Sequence, residues 1–80
     1  MREKIREFIM ANVNVDEDTV VKDDDNIFRL GYVSSLFAMR LLNFIEASFA
    51  ITVDDEDIAL VNFSTIDAMA KLVGKYRTDR

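Results

Sequence analysis

Residues Arg29–Ile51, "RLGYVSSLFAMRLLNFIEASFAI", decide how this chain is read. Ala38, Leu41, Leu42, Ile45 and Phe49 recur at helical spacing, which predicts an amphipathic helix over about 35–49. Two serines, Ser34 and Ser35, stand where the preceding loop turns into that helix. The first N–H groups of a helix lack intrahelical partners, and Ser34 is the natural N-cap, its hydroxyl accepting one of them. One serine suffices for a cap. Ser35 then becomes the first helical residue, its hydroxyl at the positive end of the helix macrodipole, where a phosphate is stabilised. Gly31 lets the chain turn in without a side chain in the way. On local chemistry alone, a modified serine and a plain Ser-Ser cap stand level.

Outward from this stretch, Ile5, Phe8, Ile9 and Val13 predict a first helix at about 2–14. "STIDAMAKLVGKY" predicts a third long helix, with Ile66, Met69, Ala70, Val73 and Tyr76 aligned on its apolar face. Ser64 is the expected N-cap there, with Asp67 in the first turn and Lys71, Lys75 and Arg77 towards the C-terminal end. "DDEDIAL" predicts a short helix at about 55–60, acids at its N-terminal end. Residues 15–34 show no period. A loop that long in so small a domain must be functional or internally packed, and Ile27, Phe28 and Leu30 are the candidate anchors. The expected fold is all-α: a single domain over residues 1–80, a four-helix bundle with three long helices, one short helix and a long ordered first loop.

The 80-residue chain is half apolar and carries a net charge of −5. Residues 15–27 hold −5 of charge and residues 54–63 hold −4, so the acid lies in two short segments. Such a surface repels nucleic-acid phosphates and attracts basic protein surfaces. There is no cysteine, which fits a reducing compartment. No apolar run reaches the roughly 20 residues that span a membrane, and "MREKIREF" lacks the apolar core of a signal peptide. A monomeric cytoplasmic protein with no nucleic-acid or membrane partner is the expectation.

The chain has no histidine, so a serine hydrolase would lack its usual activating base. "DEDTVVKDDD" and "DDED" lack the central Gly and closing Glu of an EF-hand loop. No metal site and no catalytic residue is expected. Leu36, Met39, Arg40, Asn43 and Glu46 fall off the apolar stripe of the second helix and form the expected docking surface. Phe37, one turn into that helix, is assigned to partner contact as well. Phe44 and Met69 are assigned to the core.

Met39 and its neighbours acquire a context from a family resemblance. "FRLGYVSSLFAMRLLNFIEASFAI" resembles the phosphopantetheine attachment region of acyl and peptidyl carrier proteins, whose pattern is Leu-Gly, one or two residues, Asp-Ser-Leu, and an amphipathic helix ending in Phe-Gly-Ile. The resemblance extends over almost the whole chain, including the acidic "DDED" and the last helix in "NFSTIDAMAKLV". It implies that Ser35 carries a covalent 4′-phosphopantetheine, transferred from coenzyme A by a phosphopantetheinyl transferase. The arm's thiol then holds an acyl or aminoacyl cargo as a thioester for acyl-loading and acyl-processing enzymes. A carrier of that kind is not itself an enzyme.

The chain departs from the pattern in three places, at Ser34, at the Phe37 and Arg40 pair, and at Ala50. Ser34 replaces the commonest Asp, and Ala50 replaces Gly after the helix-ending Phe, hinting at a different helix terminus. Phe37 and Arg40 occupy positions that are often acidic in carriers of fatty acid biosynthesis, leaving Glu46 as the only acid on the helix. "GYVSSLFAMRLLNFIE" is more similar to freestanding carriers of methoxymalonyl or hydroxymalonyl extender units, which implies a polyketide synthase among the partners. D-alanyl carriers share the two-residue spacer after Gly. The alternatives are a D-alanyl or peptidyl carrier, a degenerate carrier, or an unmodified acidic helical adaptor.

Overall fold

A computed structural model describes residues 1–13 and 18–77. Three α-helices, α1 (Arg2–Asn12), α2 (Phe37–Phe49) and α3 (Ile66–Tyr76), carry the fold, and no strand occurs among the described residues. The part of the acidic loop at residues 15–17 lies outside the described residues. The expected fourth helix at about 55–60 is replaced by two single 3-10 turns, Asp55–Asp57 and Leu60–Phe63. Ala59 between them is extended, with φ −135° and ψ 145°, so the "DDED" turn cannot propagate. So short a segment does not offset the cost of nucleating an α-helix, and Asn62 instead closes the stretch by donating from Nδ2 to the Asp57 carbonyl, 2.7 Å.

The core is one cluster. Ile5 and Ile9 of α1, Leu41, Leu42 and Ile45 of α2, and Ile66, Met69, Leu72 and Val73 of α3 are buried, together with Val21, Ile27, Val53 and Phe63 from the connections. The predicted stripes therefore point inward, with Ala38, Phe44, Phe49, Ala70 and Tyr76 half-buried at their edges. Met69 is fully buried.

The first loop is ordered by polar contacts as well as by anchors. Arg6 donates from Nε to the Val21 carbonyl, 2.9 Å, and its guanidinium also pairs with Asp23. Asp23 in turn meets Arg2 at 3.2 Å, and its carbonyl accepts the Asp67 N–H at the start of α3. Ile27 is fully buried and donates its N–H to the Ser64 carbonyl, 2.9 Å. Phe28 is half-buried, but Leu30 is 53% exposed and anchors nothing. Its segment curls back on itself through the Asn26 side chain, whose Oδ1 accepts the Phe28 and Arg29 N–H groups, and through Gly31 at φ +80°.

Two helix ends differ from expectation by one residue or one conformation. The N-cap of α3 is Thr65 rather than Ser64. Ser64 still has helical dihedrals, whereas Thr65 is extended, the usual N-cap conformation, and its Oγ1 accepts the Ala68 N–H at 2.9 Å. Ser64 Oγ instead donates to the Val61 carbonyl. At the end of α2, Ala50 adopts the left-handed conformation, φ 55° and ψ 47°, and the Ala50 and Ile51 N–H groups both reach the Glu46 carbonyl. The terminus is therefore the one glycine would form, not a different one. An alanine there carries a steric cost that glycine lacks. Ala50→Gly is expected to raise stability by about 0.5–1 kcal/mol, net of the entropy glycine adds to the unfolded chain. A thermal scan would show Tm rising by about 3–6 °C. An unchanged or lower Tm would mean that the strain is relieved elsewhere.

At the opposite end, Asp57 accepts from the Lys75 ammonium at 2.7 Å and from the Tyr76 hydroxyl. These partners hold the Asp57 carboxyl below its ordinary value of 3.8, and Asp57 in turn raises both Lys75 and Tyr76. Below the ordinary value the unfolded chain takes up a proton that folded Asp57 still resists. Its contribution is thus complete above about pH 4 and is lost as pH falls through the depressed folded value. The Lys75 and Tyr76 contributions run the other way, present below their ordinary values and lost as pH rises through the raised ones. Asp57→Asn is expected to lower the urea midpoint more at neutral pH than at about pH 2. A gap of equal size at both pH values would contradict this.

Candidate functional site

The approach to α2 is a tight turn. Phe37 N–H donates to the Ser34 carbonyl (3.0 Å), Ala38 to Ser35 (3.1 Å) and Met39 to Leu36 (3.3 Å). These are one-residue-shorter bonds than those of an α-helix. They place the N-cap at Leu36, with no side-chain capping bond, and the first helical residue at Phe37. Ser34 thus contributes its carbonyl rather than its hydroxyl, and the expected Ser34 side-chain cap is not formed. The Phe37 N–H, one of the two donors that a Ser34 hydroxyl could take, is used by the Ser34 carbonyl instead. Ser35 lies two residues ahead of the helix instead of opening it.

Both serines are exposed. Among the described residues no acceptor takes the N–H groups of Ser35 and Leu36. Free N–H groups at the positive end of a 13-residue helix suit a phosphate on the neighbouring Ser35 hydroxyl. The residues present therefore fit a phosphodiester-linked group, and nothing in the turn shields the hydroxyl from an approaching enzyme.

The surrounding surface is apolar and weakly charged. Leu36 is 81% exposed and Met39 55%, both far beyond what a core residue shows. Arg40 and Asn43 are exposed beside them, as helical spacing predicts. Phe37 is not. It is buried at 7% exposure and stacks on Phe8 of α1, ring centroids 5.7 Å apart, while Phe8 also stacks on Phe44 at 4.1 Å. Phe37 is a core residue of the α1–α2 contact rather than a docking residue. Arg40 lies over its ring at 6.0 Å and screens its edge. Glu46 is half-buried, and its carboxylate accepts the Val53 N–H at 2.9 Å. It fastens the chain leaving α2, so the single acid of that helix is engaged by the chain's own backbone. Tyr32 and Val33, ahead of the serines, pack half-buried against the core.

A second exposed apolar set was not legible from the sequence. Ile58, Leu60 and Val61 on the 3-10 segment are 37%, 47% and 69% exposed. Their stretch has no period, and only the tight turns reveal which side chains face out. Leu60, Val61 and Ser64 form one wall of an open groove of about 530 Å³, and Asn26, Phe28 and Arg29 form the other. The Ile27–Ser64 backbone bond joins the two walls. Among the described residues no group of three or more acids, histidines or cysteines is placed to hold a metal ion, and no helix is long and apolar enough to cross a membrane.

A family model of the phosphopantetheine attachment site matches residues 3–73, nearly the whole chain. No curated protein and no solved structure matches it.

Proposed function

The chain belongs to the family of phosphopantetheine-attachment domains, and from that premise we propose that it is a carrier protein whose Ser35 bears the 4′-phosphopantetheine. The covalent group supplies a terminal thiol on which cargo is held as a thioester. The observation that carries the assignment to Ser35 is its position: an exposed hydroxyl, followed by Leu, at the N-terminal end of α2 and beside free backbone N–H groups. Ser35 presents the hydroxyl to the transferase. The N–H groups and the helix end stabilise the phosphate once it is linked. Leu36 and Met39, with Arg40 and Asn43 beside them, offer the transferase and the acyl-processing enzymes an apolar contact next to the arm. Glu46, tied to Val53, lies outside that contact.

The reading extends to a single carrier domain in the cytoplasm that acts as a monomer and catalyses no reaction itself. Its pathway is read from the α2 sequence, which is more similar to carriers of malonyl-type extender units in polyketide biosynthesis than to those of fatty acid biosynthesis. Incubation with coenzyme A, Mg²⁺ and a broad-specificity phosphopantetheinyl transferase tests the reading by intact-protein mass. A gain of one phosphopantetheinyl group is expected. No gain with several transferases would leave an unmodified acidic adaptor or a degenerate carrier.

A further inference from the structure

The groove between residues 26–29 and 60–64 joins features that the arm alone does not use. Phe28, Leu60 and Val61 give it apolar walls. Two of its polar groups are already engaged: Asn26 Oδ1 by the Phe28 and Arg29 N–H groups, and the Ser64 hydroxyl by the Val61 carbonyl. Arg29 is different. The chain has 15 acids, yet among the described residues none lies within ion-pair distance of Arg29, as is also true of Lys22 and Lys71, and of these Arg29 alone lines the groove. No aromatic ring lies under it either.

An exposed guanidinium beside open apolar walls suits a short hydrocarbon segment that ends in a carboxylate. The hydrocarbon covers Phe28, Leu60 and Val61, and the carboxylate accepts charge-assisted bonds from the planar guanidinium. A groove of about 530 Å³ falls within the range of small-molecule sites. A solvent-exposed ion pair is too weak to hold a free anion there. Tethering changes that. Tyr32 and Val33 both donate to the Ile27 carbonyl, so one compact loop carries the groove wall and leads directly to Ser35. A ligand attached at Ser35 meets the groove at an effective concentration on the order of millimolar.

We infer that this groove receives the distal end of a thioester cargo bearing a free carboxylate, with Arg29 as the residue that distinguishes it from a neutral acyl chain of the same length. This rests on the carrier reading above. The test loads the full chain from succinyl-coenzyme A and, separately, from butyryl-coenzyme A with a broad-specificity phosphopantetheinyl transferase, each product checked by intact mass. Amide NMR shifts of Phe28, Arg29, Leu60 and Val61 are then compared with those of the unacylated arm-bearing protein. The succinyl form is expected to move these signals more than the butyryl form. Arg29→Gln removes the excess, and Arg29→Lys restores part of it. Equal shifts for the two cargoes, or a succinyl excess that survives Arg29→Gln, would overturn the inference while leaving the carrier reading intact. Absence of any mass gain would overturn the carrier reading, and the cargo site with it.

Discussion

Phe37→Ala is expected to destabilise the fold by about 3 kcal/mol, towards the low end for removal of a buried aromatic ring because the site borders solvent. Phe37 looks like a docking residue in the sequence, two residues from Ser35, but it is 7% exposed and stacked on Phe8. Its removal opens a space between α1 and α2 and leaves Arg40 without the ring it covers. The neighbouring Leu36→Ala deletes a side chain that is 81% exposed, so its effect on stability should stay within about 0.5 kcal/mol. Urea unfolding of the two variants gives the comparison. The opposite order, with Leu36 costly and Phe37 neutral, would return Phe37 to the docking surface.

Phe63→Ala is expected to cost more, about 3–5 kcal/mol. Phe63 is the largest fully buried side chain and sits at the end of the second 3-10 turn, which packs on both α2 and α3. No regular backbone holds that turn in place, so the neighbours cannot close over the lost ring without moving the segment that forms the groove. An 80-residue domain has a total stability of roughly 4–12 kcal/mol. The variant should therefore show a large loss of urea midpoint and, where it remains folded, altered amide signals at Leu60 and Val61. A loss below about 1 kcal/mol would mean that the 3-10 segment is not a structural keystone.

The long helices were readable because their apolar positions repeat, and their packing against one another preserves that repeat. Sequence and structure differ where the apolar stripe has an edge. The buried set on α2 includes Phe37, Leu41, Leu42 and Ile45, so the inward face is rotated towards Phe37 relative to one centred on Ala38. Both choices satisfy helical spacing, and only the presence of Phe8 across the interface decides between them. Leu30 faces out because of the turn that carries it. Asn26 and Gly31 build a turn that swings Leu30 outward and gives the anchoring role to Ile27.

Other features depend on contacts between residues far apart in sequence. Glu46 reads as a surface acid, and its bond to Val53 exists because Ala50 turns left-handed and brings the chain back. The serine pair was readable as a site but not as a geometry. Ser-Ser-Leu before an apolar helix marks where the helix begins, yet the tight turn that starts it moves the cap to Leu36 and frees the Ser34 hydroxyl from that task. Arg29 and the groove beside it left no periodic or motif signal, since half of the groove comes from the irregular 60–64 segment.

The central claim is that Ser35, rather than its neighbour, holds the arm. Fragmentation mass spectrometry of the peptide spanning the serine pair, taken from transferase-treated protein, tests it most directly. The account predicts the phosphopantetheinyl mass on Ser35 in the native chain and in Ser34→Ala, and no modified peptide in Ser35→Ala. Modification assigned to Ser34, or a Ser35→Ala protein modified as fully as the native chain, would contradict it.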